Sequence, residues 1–517
     1  MEWAKPPENR EQIVLFAEKL DDAIDPNHPV RLLDKILRGV DWRPWEAKYK
    51  LTRGMPPIHP SVLASVILYG LLKRIRTSRG LEEALKVRLD FRWLAEGRTI
   101  DHTTISKFRQ NNSECLGDLF VQIGLIARQM GHLTLVTLGY DGTRMRASNR
   151  RSGTRTPEEL RQAKQQLAEE FRLHQQAAGQ AQQLEDEVFN AAETGRSEKD
   201  LRREMQRVDQ ALAEIERIES EGKQVPERLP ITDPHCRIAK NKEGGFGPNY
   251  NPTVTVDVES GLLVDSDVIR GTDEQSHMIE AVTRAREHFG DESVDPPVVE
   301  VLADGLMATA SNIVECPESG IEFYSPGGAE NPAHREDPSD PVAADKIDAL
   351  PLRGKKPRRG EVDRRTFDKS AFVYDADHDI YWCPMGKRLE RRSKRKDHRG
   401  DERFLYRADK RDCSVCPLKS RCFTNSRKQY GRRIECGKHE RATQAHATKM
   451  RRVESRAKYS RRAAATERPF AVIKYALGAR SFLSRGIHRV RAEWTWLTIA
   501  CNLHRLLYLL GLRGGTP

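Results

Sequence analysis

The chain has 517 residues, with 88 Lys+Arg against 76 Asp+Glu and a formal net charge of +12. Its mean hydropathy is −0.69, and its longest apolar stretches, such as Val62–Leu72, fall short of a spanning helix, which excludes a membrane protein. The opening Met1-Glu2-Trp3-Ala4-Lys5-Pro6-Pro7 lacks the apolar core of an export signal, so a cytoplasmic protein is expected. Nine cysteines, four of them crowded into one region, fit a reduced compartment and a metal site better than a disulfide framework. The basic excess points to a polyanionic partner, nucleic acid first.

Residues 1–130 read as short amphipathic helices forming an all-α domain. Val62, Val66, Ile67, Leu71 and Ile75 recur at helical spacing, with Pro60 in the first turn and Ser78-Arg79-Gly80 at the end. Leu81, Ala84, Leu85 and Leu89 carry a second helix, and Asp101 caps a third, Thr103–Arg109. Three short helices ending in one rich in Thr, Ser, Lys and Arg fit a helix-turn-helix, with Thr104, Lys107 and Arg109 as DNA contacts in a major groove. A small bundle with a solvated basic face is the alternative.

Residues 131–325 turn to strands. Leu133, Leu135 and Leu138 lead a run that stops at Gly139-Tyr140-Asp141-Gly142. Thr253–Val258 and Leu262–Ile269 alternate around Ser260-Gly261, a hairpin signal. Val298, Val299, Val301 and Leu302 end at Ala303-Asp304-Gly305, and Ile321-Glu322-Phe323-Tyr324 is one more strand. Together they imply an α/β domain, a mixed sheet with flanking helices. A helical insert, 157–223, places Leu201, Met205, Val208, Leu212, Ile215 and Ile218 at coiled-coil spacing, with a turn at Gly195-Arg196-Ser197; its charge reads as a solvated face.

Residues 326–450 read as a loop-rich, basic, Cys-rich insertion, with runs at Arg353–Arg359 and Lys387–Arg399. Residues 451–517 return to helix, through Arg456–Arg480 and Trp494–Leu510.

Three acids stand apart: Asp141 and Asp304 at the ends of hydrophobic strands, and Glu467 on a helix in basic company. Adjacent strand ends crossed by a helix would bring three carboxylates together, an arrangement that mutual repulsion disfavours unless divalent cations neutralise it. Two such cations about 3.5–4 Å apart can activate a nucleophile and stabilise the leaving oxygen of a phosphodiester. Asp257, Asp265, Asp267, Glu454 and Glu493 are rivals in similar settings, and an acid at a strand end is often only a turn residue. Cys383, Cys413, Cys416 and Cys422 could supply four thiolates to a structural Zn²⁺; buried thiols without metal are the other reading. Few apolar residues nearby offer a core, which favours such a staple.

The chain resembles the DDE transposases of bacterial insertion sequences, in the branch marked by a Tyr-Arg-Glu-Lys signature. The segments carrying the likeness are His59–Gln110, Tyr140-Asp141-Gly142-Thr143, Ile231-Thr232-Asp233-Pro234, Ala303-Asp304-Gly305, the Cys-rich stretch and Glu467–Leu506. The resemblance implies a ribonuclease-H-like core behind a helix-turn-helix-type DNA-binding domain, with the helical and Cys-rich segments as inserts. It places the catalytic, metal-holding acids on Asp141, Asp304 and Glu467, binding two Mg²⁺ or Mn²⁺ ions. It places the signature Tyr on Tyr459, the Lys on Lys474, and the Arg on Arg462, one residue further from Glu467 than usual, with Arg461 as the alternative. Gly305-Leu306-Met307 departs from the Ala-Gly-Tyr that many relatives carry. Implied partners are terminal inverted repeats, target DNA and a second copy of the chain on DNA, with no membrane and a nucleoid-associated location. A nuclease of the same fold without strand transfer, and an inactive DNA-binding derivative, are the alternatives. Pro469 should kink the Glu467 helix or restart it, because its ring conflicts with the Ala465 carbonyl.

Overall fold

The computed structural model describes residues 19–49, 56–149, 153–181, 197–241, 244–290, 298–326, 337–354, 365–396, 402–423 and 430–511. The Met1–Pro7 opening, the turn at Gly195-Arg196 and the basic positions 355–359 and 397–399 lie outside these. Two units divide the chain: Met1–Asp291 with Ala464–Pro517, and Glu292–Ala463.

In the first unit, α1 (Pro60–Leu72) stops earlier than its apolar spacing suggests, because Arg74 turns to a φ of 63°. Ser78-Arg79-Gly80 does not end that helix but opens α2 (Ser78–Val87), since the Thr77 hydroxyl accepts the Gly80 N–H at 3.1 Å. A Cβ on Gly70 would overlap the Leu81 side chain, so glycine lets the two helices touch. In α3 (His102–Asn111) the Asp101 carboxylate accepts the Thr103 and Thr104 N–H groups at 2.7 and 2.9 Å. Its Phe108 stacks on Trp45, centroids 5.5 Å apart, and α4 (Leu116–Gln129) comes next.

The strands of this unit are β1 (Thr137–Gly142), β2 (Met145–Arg146), β3 (Arg237–Lys240), β4 (Phe246–Asp257) and β5 (Leu263–Ile269). The long β4 is the spine, pairing antiparallel with β1, β2, β3 and β5. β1 begins at Thr137 rather than Leu133 because Leu135 takes a φ of 56° and gives its N–H to Asp257 at 3.1 Å. The β4–β5 hairpin turns at Ser260-Gly261 as its sequence implies, with Gly261 at a φ of +73° and Asp257 accepting the Ser260 N–H at 2.9 Å. The register slips between Thr255 and Val256, and the C-terminal helix (Ile487–Leu509) covers the slip. Its buried Asn502 accepts the Leu263 N–H at 2.8 Å and donates to the Leu263 carbonyl at 2.9 Å, so no backbone polar group is stranded there. The insert forms two antiparallel helices, α5 (Pro157–Ala181) and α6 (Glu198–Ser220), zipped by Leu160, Leu167, Leu201, Val208 and Ile215. Lys164 meets Asp209 across them at 2.8 Å. A further helix, α7 (Met278–Phe289), succeeds the hairpin.

In the second unit β6 (Val299–Ala303) and β7 (Ile321–Tyr324) run parallel, joined by α8 (Ala310–Glu318). Beyond them β8 (Val373–Asp375), β9 (Ile380–Trp382), β10 (Arg388–Lys396), β11 (Glu402–Ala408) and β12 (Arg433–Gly437) form an antiparallel five-stranded sheet. This corrects the loop-rich expectation for residues 326–450. Phe367, Phe372, Tyr381, Leu389, Tyr406 and Ile434 are buried together, so the region has an apolar core of its own. The core is hard to see in sequence because the longer strands bury few residues among their charges, Leu389 alone in β10 and Tyr406 and Ala408 in β11. In β10 Arg391 and Lys394 lie over the Phe404 ring at 5.0 and 5.9 Å. Among the described residues no helix is long and apolar enough to cross a membrane.

Candidate active site at the end of the first strand

β1 alternates, so Tyr140 is buried and donates its hydroxyl to the Glu274 carbonyl at 3.0 Å, while the half-buried Asp141 points to the other face. Burial, reinforced by the Glu274 charge, pushes the Tyr140 phenol well above its ordinary pKa. The Asp141 carboxylate accepts the Gly142 N–H at 2.9 Å and the Thr466 hydroxyl at 3.3 Å. Thr466 is buried on the Glu467 helix (Arg462–Ala471). A Cβ on Gly139 would stand 2.7 Å from Thr466 Cγ2, so a glycine two residues before Asp141 admits that helix onto β1. Glu467 itself is exposed and makes no hydrogen bond or ion pair with any described residue.

Pro469 neither stops nor restarts the helix: it sits inside it, and the chain runs straight on into a widened π-type turn, Val472–Ala476. There the Leu477 N–H reaches back five residues to the Val472 carbonyl at 2.9 Å. Beyond Pro469 Lys474 donates to the Thr143 hydroxyl at 2.6 Å, just past the strand end. The first unit therefore brings Asp141, Thr466 and Lys474 together, with Glu467 next along the helix.

In the second unit Asp304 ends β6, half-buried. Its carboxylate accepts the Leu306 N–H at 2.8 Å, and its carbonyl accepts the Ser325 hydroxyl at 2.6 Å. Gly305 is required here, since a Cβ would meet the Pro326 carbonyl oxygen at 2.7 Å. Also in this unit, the Arg462 guanidinium lies over the Tyr459 ring at 5.9 Å.

Four of the five rival acids have structural partners. Asp257 holds the hairpin turn, Asp265 pairs with Arg284 through two contacts of 2.9 Å, and Asp267 pairs with Arg491 at 2.9 Å. Glu493 accepts from Arg76 at 2.7 Å and from the Leu483 and Ser484 N–H groups, and Glu454 is exposed. One acid escaped the sequence: a Cβ on Gly142 would overlap the Glu274 carboxylate, which therefore lies on the Tyr140 face of β1, opposite the face of Asp141. In sequence Glu274 reads as an acid leading into a helix, where the dipole alone explains it.

On α3 the three proposed DNA contacts diverge. Lys107 is exposed, the Thr104 hydroxyl is spent on Asp101 at 2.7 Å, and Arg109 turns inward to the Arg76 carbonyl at 2.7 Å. Of the four cysteines, Cys422 sits in the core of the second unit's β-sheet, Cys383 and Cys413 pack against it, and Cys416 is half-buried. Cys383 Sγ accepts the Lys387 N–H at 3.3 Å and Cys413 Sγ the Arg432 N–H at 3.4 Å. Burial pushes the Cys422 thiol up to about 12, and the neighbouring Cys416, Cys383 and Cys413 add to the shift after an opposing pull from Arg432. Among the described residues no three His, Cys, Asp or Glu side chains are gathered as a metal cage.

Residues 18–111 match the family described as Transposase domain (DUF772), and residues 382–507 match the Transposase DDE domain family. Both matched families are transposase domains. The two matches support the likeness to the insertion-sequence DDE transposases. Glu467, Tyr459, Arg462, Lys474 and the four cysteines fall inside the second match, whereas Asp141 and Asp304 lie outside both. No curated protein and no solved structure matches the chain.

Proposed function

We propose that this transposase binds the terminal inverted repeats of its own element and performs metal-dependent cleavage and strand transfer on DNA. Asp141, Asp304 and Glu467 are its catalytic acids, in a ribonuclease-H-like arrangement. The observation that carries this reading is the tie between Thr466 and Asp141, 325 positions apart in sequence, which seats the Glu467 helix at the strand end that bears an acid. All three donors are carboxylates, hard oxygen ligands of the kind Mg²⁺ or Mn²⁺ takes, and Glu467 is open to receive one. Two such ions, when bound, lower the pKa of the attacking water or hydroxyl and neutralise charge on the phosphoryl group. Lys474, with Thr143 as its anchor, holds a backbone phosphate beside Asp141, and Arg462 and Tyr459 serve DNA in the same way. Lys107 and Thr104 face the inverted repeat, and two copies pair the two element ends.

The test combines a duplex carrying the element's ends with a plasmid target. Joined products that vanish with chelator, with Asp141→Asn or with Glu467→Gln are expected. Nicks without joining would leave a nuclease, and unchanged joining by Asp141→Asn would remove the acid from the mechanism.

The same reading includes a structural Zn²⁺ on Cys383, Cys413, Cys416 and Cys422. The two N–H···S bonds support it, because they stabilise sulfur as the thiolate that a metal needs. With an apolar core present, the metal would add rigidity to a sheet that already has its own packing. Stoichiometric zinc lost in Cys413→Ser is expected; protein without zinc ends this part of the proposal.

A further inference from the structure

The first unit carries three clefts in a row. The first, about 750 Å³, opens between α3, the Arg76 turn and the start of the C-terminal helix. The second, about 550 Å³, shares Arg485 and Arg489 with it. The third, about 610 Å³, lies at the base of the helical insert and shares Arg217 and Arg270 with the second.

Their charges do not cancel evenly. Two of the acids are paired, Glu493 by Arg76 and Glu214 by Arg217 at 2.8 Å and by Arg237 at 2.5 Å; Asp233 in the second cleft accepts the Tyr250 hydroxyl at 2.6 Å, and Glu227 and Asp273 line the third without a cationic partner among the described residues. Of the four arginines at the two junctions, Arg217 is taken by Glu214 and Glu221, and the other three have no acidic partner among the described residues. Arg489, Arg270 and His488 make no hydrogen bond or ion pair with any described residue, and Arg485 uses only its Nε, on the Ser148 carbonyl at 2.6 Å. Arg109 lines the first cleft with its Nε buried and without an acceptor among the described residues. Burial pulls its guanidinium down to about 10, with Arg76 adding to the fall and Glu493 opposing it, so an anion in the cleft would relieve a real deficit. At the same place the C-terminal helix begins at Gly486, φ 81°, with no side-chain cap and no acid in its first turn. The Ile487 N–H is taken by His235 at 3.4 Å, which leaves the His488 and Arg489 N–H groups at the positive end of a 23-residue helix.

We propose that these clefts form one track for the phosphodiester backbone of duplex DNA, with its main phosphate seat among Arg485, His488, Arg489 and Arg109. A single small anion would need one cleft. A row of clefts that share arginines, with Arg489 and Arg270 unpartnered among the described residues, suits a polyanion that runs from one to the next. The first cleft takes Ser106, Arg109 and Gln110 from α3 but not the exposed Lys107, so the track contacts backbone while Lys107 is left to the bases. The inference rests on the transposase reading, and the experiment separates the two.

Full-length protein is titrated with a fluorescent 30-bp duplex of arbitrary sequence across a range of salt concentrations. The slope of log affinity against log salt falls by about 0.9 for each phosphate that the protein no longer neutralises. Arg485→Ala/Arg489→Ala should therefore flatten it by about 2, while the control Lys35→Ala/Arg38→Ala, in the last turn of the helix Pro29–Arg38, leaves it unchanged. Arg489→Ala alone, an exposed residue with no partner to lose, gives about half that effect and guards against misfolding. An unchanged slope in both variants overturns the track, even if the wild type cleaves and joins element ends. A loss confined to single-stranded RNA of the same length overturns it equally. A flattened slope in a protein whose wild type joins no DNA keeps the track and removes the transposase reading.

Discussion

Gly139 offers the sharpest test of how the candidate site is built. Adding a methyl there puts Cβ 2.7 Å from Thr466 Cγ2, where ordinary contact begins at 3.4 Å, so about 0.7 Å must be made up. β1 is pinned by its register with β4, Gly139 opposite Val256, so the Glu467 helix is the part that yields. Overpacking of this kind costs about 1–3 kcal/mol, and a shift approaching 1 Å in a catalytic group costs about a hundredfold in rate. Gly139→Ala should thus lose a few degrees of thermal stability and most of its strand cleavage. Thr466→Ser deletes the offending methyl and keeps the hydroxyl on Asp141, so the double variant should recover both quantities. The coupling between the two sites would fall within about 0.5–3 kcal/mol. Thermal melts and cleavage rates for the four proteins form a closed cycle. A double variant no better than Gly139→Ala would show that the helix is not seated on β1 through this contact.

The packing implies three further outcomes. Glu493→Ala leaves Arg76 unpaired in a site where the two side chains are only 15% and 12% exposed, and strands the Leu483 and Ser484 N–H groups, so a loss of about 3–5 kcal/mol is expected in denaturant unfolding. Burial, aided by Lys449, holds the His446 pKa below its usual value against the hydrogen bond to Ser325. The unfolded chain, titrating near 6.5, then takes a proton that the folded one refuses, so stability falls as pH drops below about 6.5. His446→Gln should flatten that fall in melts between pH 7 and 5. Gly305→Ala must push against the Pro326 carbonyl, a backbone atom 2.7 Å from the new Cβ, and should unfold the second unit earlier by about 1–3 kcal/mol in limited proteolysis.

What sequence could and could not reveal divides along physical lines. Periodicity exposed α3, the hairpin at Ser260-Gly261 and the two-helix insert, because each buries one face of a regular element and signals its ends locally. It misplaced the end of α1 and the start of β1, where single residues at positive φ, Arg74 and Leu135, decide the boundary without any glycine to announce it. It missed the five-stranded sheet of the second unit, whose core is assembled from isolated aromatics in charge-rich strands that also use Arg and Lys stems as cover. Asp141 stood out at its strand end, but Glu274 on the other face of β1 did not, because it reaches Gly142 only once the loop after β5 folds back. Arg109 was legible as a cation and not as a buried one, since its neighbour Arg76 lies 33 positions away.

The residue that places Glu467 is not Glu467. Successive side chains on a helix point about 100° apart, so while Glu467 faces solvent, the preceding Thr466 faces β1 and is fully buried. Thr466 makes the contact with Gly139 and the bond to Asp141, and Lys474 repeats the tie at Thr143. An exposed carboxylate has no packing of its own to fix it, so its position must be inherited from rigid neighbours on either side. The π-type turn at Val472–Ala476 serves the same end: adding one residue to a helical turn rotates the rest of the helix by about 100°, which sets the direction of Lys474 relative to Glu467. A glycine, a threonine and a widened turn thus define where an acid and a cation meet the end of β1, and none of the three would be singled out by a search for chemically reactive side chains.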